Sequence, residues 1–251
     1  MSQKIKNPNE KGSGFIVGII ALIAIVTVVI GVVLYMGRNQ PIEGLPDEDV
    51  SFSVEADGNV VRLASDEAGD DAVVAEVYED YSCSYCAEMA QGGHADQLEA
   101  LNNGDLVVEY RMLNFLDGTE PGSPKVKQAR HSTKTLAVAY EIAKRGDARL
   151  FWNFHTLLMR DQQEAAKWDA VQIADVVKGM GGDDELVSAI RDELDTSEAK
   201  AVAEENYLEL EKTLGKVSSP HVIVDGKDIL ENAQAGGLGD WVNLALEAGK
   251  A

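Results

Sequence analysis

Tyr81-Ser82-Cys83-Ser84-Tyr85-Cys86 holds both cysteines of a 251-residue chain, three positions apart. Two thiols at that spacing can bridge. Once bridged, one sulfur can be attacked by a thiolate from another chain, giving a mixed disulfide that the second sulfur resolves. A structural staple is a poor fit, because a bridge closing so short a loop removes little entropy from the unfolded chain. Zinc needs about four ligands, and His94, His131, His155 and His221 stand in no Cys-x-x-Cys or His-x-x-x-His arrangement with the pair. Redox chemistry by the sulfurs themselves, with no metal and no cofactor, is what remains.

Such chemistry needs one sulfur that ionises easily and a second held in reserve. Ala72-Val73-Val74-Ala75-Glu76-Val77-Tyr78 is a mostly apolar, β-branched run of strand length, suited to the middle of a sheet. It leads through Glu79-Asp80-Tyr81 into the cysteines. From Cys83 to Leu101 there is no proline, and Cys86, Met89, Ala90, Leu98 and Leu101 share one helical face, with Gly92-Gly93 weakening or kinking the helix midway. Leu106–Leu113 reads as a second strand, completing a βαβ unit with the cysteines at its strand-to-helix junction. There the unpaired N–H groups and the positive end of the helix dipole favour a thiolate. Cys83 is thus the exposed, attacking sulfur. Cys86, about one turn on, is turned inward and resolves.

The remaining elements fall into order around this unit. Ser51–Glu55 and Asn59–Leu63 flank Ala56-Asp57-Gly58, a hairpin signal. Ser123-Pro124 predicts a helix start, followed by a stripe through Val126, Ala129, Thr133, Leu136, Ala137 and Tyr140 as far as Lys144-Arg145-Gly146. Further helices are expected at Leu150–Met159, Ala170–Met180, Asp183–Leu194 and Ser197–Leu214; their aromatics and leucines read as core. Val222-Ile223-Val224, turning at Asp225-Gly226 into Lys227–Leu230, restores strand character, and Asp240–Ala248 closes with a helix. Ser219-Pro220 sits just before that strand, where a proline withholds no ladder hydrogen bond; by itself it reads as an ordinary trans pair.

Upstream, Phe15 to Met36 is 22 residues without a charge, about 33 Å as a helix and enough for a hydrocarbon core of ~30 Å. Lys4, Lys6 and Lys11 precede it and only Arg38 follows closely, which keeps the amino end cytoplasmic. The run exceeds a signal-peptide core and ends without an Ala-x-Ala site, so an uncleaved anchor is expected. Of 22 basic and 43 acidic side chains, residues 1–38 hold four and one, leaving 18 and 42 and a net charge of −24 for residues 39–251. That balance argues against nucleic acid or anionic lipid as the partner of the exported part.

In this order the strand, the Cys-x-x-Cys helix, the helical block and Val217-Ser218-Ser219-Pro220 before the last hairpin resemble the DsbA-like thiol:disulfide oxidoreductases, over about residues 52–250. The resemblance implies an α/β, thioredoxin-like fold, a central mixed sheet interrupted by an all-helical domain. The organisation expected is a cytoplasmic end (1–14), an anchor (15–36), a linker (37–50), a thioredoxin-like domain (51–117 and 215–251) and a helical insertion (118–214). It implies that Cys83 is the nucleophile, that Cys86 resolves, that Ser84 and Tyr85 tune the redox poise, and that Pro220 is a cis-proline whose neighbour Ser219 presents its backbone to a substrate peptide. Members often have proline where this chain has Ser84, and the best-known oxidase has histidine where this chain has Tyr85, so a less strongly oxidising bond is expected. The buried acid common six residues before the nucleophile is replaced by Val77, and strand alternation makes no neighbouring carboxylate an assured substitute. The expected partners are exported proteins bearing thiols and a separate protein that recycles the pair, in a bacterial envelope. A reductase or isomerase of the same fold, or a module that holds unfolded chains without turnover, are the competing expectations; in any case Tyr78, Tyr81, Tyr85 and Phe115 would supply apolar surface near the site.

Overall fold

The computed structural model describes residues 13–38, 44–231 and 237–250. The first twelve residues of the expected cytoplasmic end and residues 39–43 of the expected linker lie outside them. Two compact units divide the chain, residues 1–43 and residues 44–251. In the first, α1 spans Ser13–Arg38, and its side chains from residue 17 to residue 29 are exposed. Among the described residues no helix is long and apolar enough to cross a membrane.

The second unit is built on a six-stranded sheet in the order β1-β2-β4-β3-β5-β6. The strands are β1 (Phe52–Asp57), β2 (Val60–Ser65), β3 (Val73–Asp80), β4 (Leu106–Leu113), β5 (His221–Val224) and β6 (Lys227–Asp228). Among the described residues only β3 and β4 run parallel, and every other pair is antiparallel. The first hairpin turns at Gly58 and Asn59, with Gly58 at φ 59°, a left-handed conformation that glycine adopts without a Cβ penalty. Period-two alternation puts Ala75, Val77 and Glu79 on one face of β3 and Tyr78 and Asp80 on the other. Tyr78, Leu113 and Ile223 pack against Leu210 of a long helix on that second face.

Between β3 and β4 the chain forms α2 (Ser84–Gly92) and α3 (His94–Asn103). The glycine pair therefore breaks the helix rather than bending it, and the reason is close packing. A Cβ on Gly92 would stand 2.6 Å from the Cα of Gly239, and one on Gly93 would stand 2.4 Å from Nε1 of Trp241. Gly92→Ala should cost about 1–3 kcal/mol by overpacking, read as a lower midpoint in chemical denaturation with the same slope.

Six helices separate β4 from β5: α4 (His131–Lys144), α5 (Ala148–Arg160), α6 (Gln162–Ala165), α7 (Ala170–Gly179), α8 (Asp184–Asp192) and α9 (Ser197–Leu214). A last helix, α10 (Trp241–Ala248), follows β6. Asp147, Asp169 and Asp183 each accept a backbone N–H at the start of α5, α7 and α8, and Asp169 with Gln172 completes a capping box.

Ser123-Pro124 does not begin a helix. The Ser123 hydroxyl accepts the N–H of Lys125 inside a small turn closed by a bridge between Thr119 and Val126. Helix α4 starts at His131 because a remote carboxylate caps it: Asp117 accepts the N–H groups of Arg130, Ser132 and Thr133 at 2.8, 3.1 and 3.0 Å. The residues leading into the cysteines also differ from expectation. Glu79 and Asp80 are not a connector but the last rungs of β3, paired with Met112 and Leu113. Both carboxyl groups are buried.

Candidate active site

Strand β3 ends at Asp80, whose carbonyl accepts the N–H of Cys83 at 2.8 Å while its carboxylate accepts that of Ser82 at 2.9 Å. This tight turn sets Cys83 in extended conformation at the N-cap of α2 (φ −85°, ψ 118°), where no side chain caps the helix. The uncapped N–H groups are left to the sulfur. Its thiol is brought down from an ordinary 9.0 to about 6, first by the hydrogen bond from the Cys86 thiol, then by the Ser219 side chain and the backbone N–H groups of Cys86 and Tyr85, against the opposing effect of burial. Cys83 is itself buried, at 7% exposure, rather than the exposed sulfur expected, and Cys86 is wholly enclosed. Burial pushes its thiol up, and the hydrogen bond with Cys83 and the charges of Cys83 and Glu79 push the same way. Two chemically identical groups are thus driven apart by position alone.

The loop before β5 closes over this pair. Cys83 Sγ donates to the carbonyl oxygen of Ser219 at 3.4 Å, across 136 positions of sequence. The Ser219–Pro220 peptide is cis. His221, next in the chain, braces the loop: Ser218 Oγ lies 2.7 Å from its Nε2, and its Nδ1 lies 2.6 Å from Asp228 Oδ2. Ser84 and Tyr85 stand outward, Tyr85 at 57% exposure. Ser84 borders a groove of about 370 Å³ whose far wall is Arg160 to Glu164.

Of the four aromatics expected beside the site, only two can meet a partner. Tyr78 and Tyr81 are core side chains at 1% and 0% exposure: Tyr78 packs with Leu113, Ile223 and Leu210, and Tyr81, just past the end of β3, meets the ring of His155. Tyr85 and the half-buried Phe115 remain, and Leu116 joins them at 46% exposure.

Three contributions had no motif to announce them. Gln162 of α6 donates its amide to the carbonyls of both Tyr81 and Cys83, at 3.0 and 2.9 Å, and so clamps the cysteine turn from the helical block. Asp80 is pushed up to about 6, chiefly by burial, although Ser132 Oγ donates to it at 2.6 Å and the N–H of Leu116 at 3.1 Å. Glu79 lies two residues beyond Val77 and so on the same face of β3. Neither of its oxygens has a hydrogen-bond partner. Burial holds it well above the usual carboxylate range, with the charges of Cys83 and Asp80 adding, which favours the protonated acid. The alternation rule that sets Glu76 apart from Val77 was the available signal for Glu79. Among the described residues no group of three or more His, Cys, Asp or Glu side chains could hold a metal ion.

A thioredoxin family model matches residues 68–243, which contain the cysteine turn, the whole helical block and the cis-proline loop. The chain belongs to the thioredoxin family. Within that family it is similar to MdbA, a thiol-disulfide oxidoreductase from Corynebacterium diphtheriae: 36% identity, a TM-score of 0.71, and coverage of 79% of this chain and 95% of the other. The MdbA protein of Corynebacterium matruchotii is 38% identical with a TM-score of 0.68, covering 78% and 92%. BdbD from Bacillus subtilis, in its oxidised form, shares the thioredoxin-like fold at 16% identity and a TM-score of 0.54, covering 80% and 100%. Among curated sequences the chain is 25% identical over 134 residues to the serine/threonine-protein kinase PknE of Mycobacterium tuberculosis, 50% of this chain and 22% of that protein. The chain therefore spans about a fifth of the length of the curated relatives it matches.

Proposed function

We propose that this chain is a thiol-disulfide oxidoreductase that passes its Cys83–Cys86 disulfide to exported proteins, held at the outer face of a membrane by Phe15–Met36. The observation that carries the reading is the asymmetry of the pair: one sulfur at a helix tip with its thiolate stabilised, the other enclosed and protonated. A substrate thiolate attacks Cys83 Sγ and forms a new S–S bond, while the bond to Cys86 breaks and that sulfur leaves as a thiolate. Glu79 supplies the proton Cys86 then takes. A second substrate thiolate attacks the substrate's own bridged sulfur, and Cys83 departs as the thiolate the site stabilises. The two electrons taken from the substrate now reside in the dithiol, and a recycling partner with a disulfide or quinone must remove them.

The direction is read from the same asymmetry. Whatever stabilises the thiolate stabilises the reduced form, and a pair whose reduced form is favoured gives its bridge away. The carbonyl of Ser219 is placed to receive a substrate backbone beside Cys83, with Tyr85, Phe115 and Leu116 offering apolar contact. The division into a thioredoxin-like part (51–117 and 215–251) and a helical insertion (118–214) belongs to this proposal. It is supported by the interruption of the sheet between β4 and β5. The anchor rests on the uncharged run Phe15–Met36 and on the lysines before it.

The test is catalysed refolding of a reduced, disulfide-containing protein by the oxidised chain, paired with trapping by Cys86→Ala. A stable mixed disulfide at Cys83 is expected from the variant, and oxidative refolding from the parent. Non-covalent holding without a trapped species would indicate a binding module, and faster reduction than oxidation in a glutathione buffer would make the chain a reductase.

A further inference from the structure

The geometry points to a proton route from solvent to the buried sulfur that runs through the helical block: from a water-accessible cavity against α5, by way of His155, to Glu79. This inference rests on the oxidoreductase reading and adds the path by which its proton moves. Cys86 is fully enclosed and alternates between bridged sulfur and thiol, so every turnover must bring one proton to it and take one away. Glu79 can hold that proton, yet it too is enclosed at 1% exposure, with no hydrogen bond to either oxygen. A group so placed must itself be recharged.

One side chain reaches it from outside the sheet. His155 Nδ1 of α5 lies 3.3 Å from Glu79 Oε1 and 3.4 Å from the hydroxyl of Tyr81. The same imidazole forms part of the wall of a cavity of about 480 Å³ that also meets His94, Gln97, Trp152, Met159 and Glu48. Its rim is polar: His94 Nε2 and Trp152 Nε1 both lie 2.8 Å from Glu48 Oε2. This volume is many times that of a single water, whose share of liquid is about 30 Å³, and the cavity lies on the α5 side, apart from the Ser219 loop.

The groups that face Glu79 come from every packed element: Cys83 at the N-cap of α2 and Cys86 within it, Asp80 on β3, Tyr81 beyond it, Tyr110 on β4 and His155 on α5, with His94 of α3 facing the imidazole in turn. None of these is a permanent cation. Burial, with the charge of His94 adding, holds His155 down to about 3, so it is a neutral imidazole. Such a ring takes a proton at one nitrogen while releasing one at the other. When Cys86 leaves as a thiolate, Glu79 gives it a proton. The carboxylate so formed takes the Nδ1 proton of His155, and Nε2 collects one from cavity water. Resolution of a mixed disulfide runs the chain backwards. His155 acts through Glu79 and touches neither sulfur.

The experiment uses the full chain carrying a mixed disulfide between Cys83 and 5-thio-2-nitrobenzoate. Cys86 resolves this adduct and releases the coloured thiolate, which is read in a single turnover across pH. His155→Ala should slow release by about tenfold or more, in line with general acid–base contributions, and free imidazole entering the enlarged cavity should restore it. Alkylation of Cys83 should keep its parent rate and pH profile. His155→Gln, which keeps the volume without the relay, should show the same slowing if the alanine variant fails to fold. Release at the parent rate in a folded variant, or slowing that imidazole does not reverse, overturns the route. A parent chain that never releases the thiolate would instead overturn the oxidoreductase reading itself.

Discussion

Cys83→Ala is expected to lower oxidative refolding to the uncatalysed rate, and in the parent chain alkylation of Cys83 should titrate near pH 6. At pH 7 such a thiol is about nine-tenths ionised, against about one part in a hundred for an ordinary thiol, and the thiolate is the species that reacts. The sign carries over to redox balance. In the reduced protein Cys83 ionises at about 6 when folded and at an ordinary 9.0 when unfolded. Between those values the unfolded chain binds more protons, so the reduced fold gains stability as pH rises, and the gain is lost as pH falls through 6. The bridged form has no thiol to titrate. Oxidised and reduced proteins melted side by side should therefore change their difference between pH 6 and 9; above 9 the raised Cys86 thiol, which the unfolded chain ionises first, works the other way.

The second large effect is expected at Glu79, where activity and stability should move in opposite directions. Glu79→Gln keeps shape and polarity but can neither hold nor give the proton, so resolution by Cys86 should slow by about 10²–10⁴, the range for a positioned general acid or base. The carboxyl of Glu79 is raised well above 4.5 in the fold. As pH climbs past 4.5 the unfolded chain loses that proton while the folded one keeps it, so the parent is progressively penalised. The glutamine variant escapes the penalty. It should melt higher than the parent at pH 7, and the difference should vanish near pH 4. A variant that is slow and also less stable at neutral pH would mean that Glu79 is held by contacts rather than by its proton.

Much of this arrangement was legible in residue order, and the exceptions share a physical cause. Local signals read well: Asp225-Gly226 turned the last hairpin, and Ser197–Leu214 kept the bounds its stripe suggested. The cysteines stood at a strand-to-helix junction because a β-branched run was followed by a proline-free amphipathic one. What escaped were partners distant in sequence. The start of α4 is set by Asp117, which no local pattern around Ser123-Pro124 could indicate. Glu79 and Asp80 looked like connector residues because two adjacent carboxylates are seldom buried; only Ser132 and the N–H groups around Asp80 make its burial tolerable. Gln162 and His155 carried no motif. One sat after a helix that seemed to end at Met159, and the other was lost among Phe151, Trp152 and Phe154, which are core.

The 136 positions between Cys83 and the carbonyl it meets bear on the order in which the molecule becomes competent. A ribosome delivers the sulfurs long before it delivers Ser219, and a chain halted after Leu214 would possess the helix tip without its lid. Such a fragment would already encode the helix tip and Cys86, which do most to lower the Cys83 thiol, but would lack the Ser219 carbonyl that meets the sulfur. The loop that closes over the pair is thereby completed only when the final hairpin is made, a delay written into chain topology.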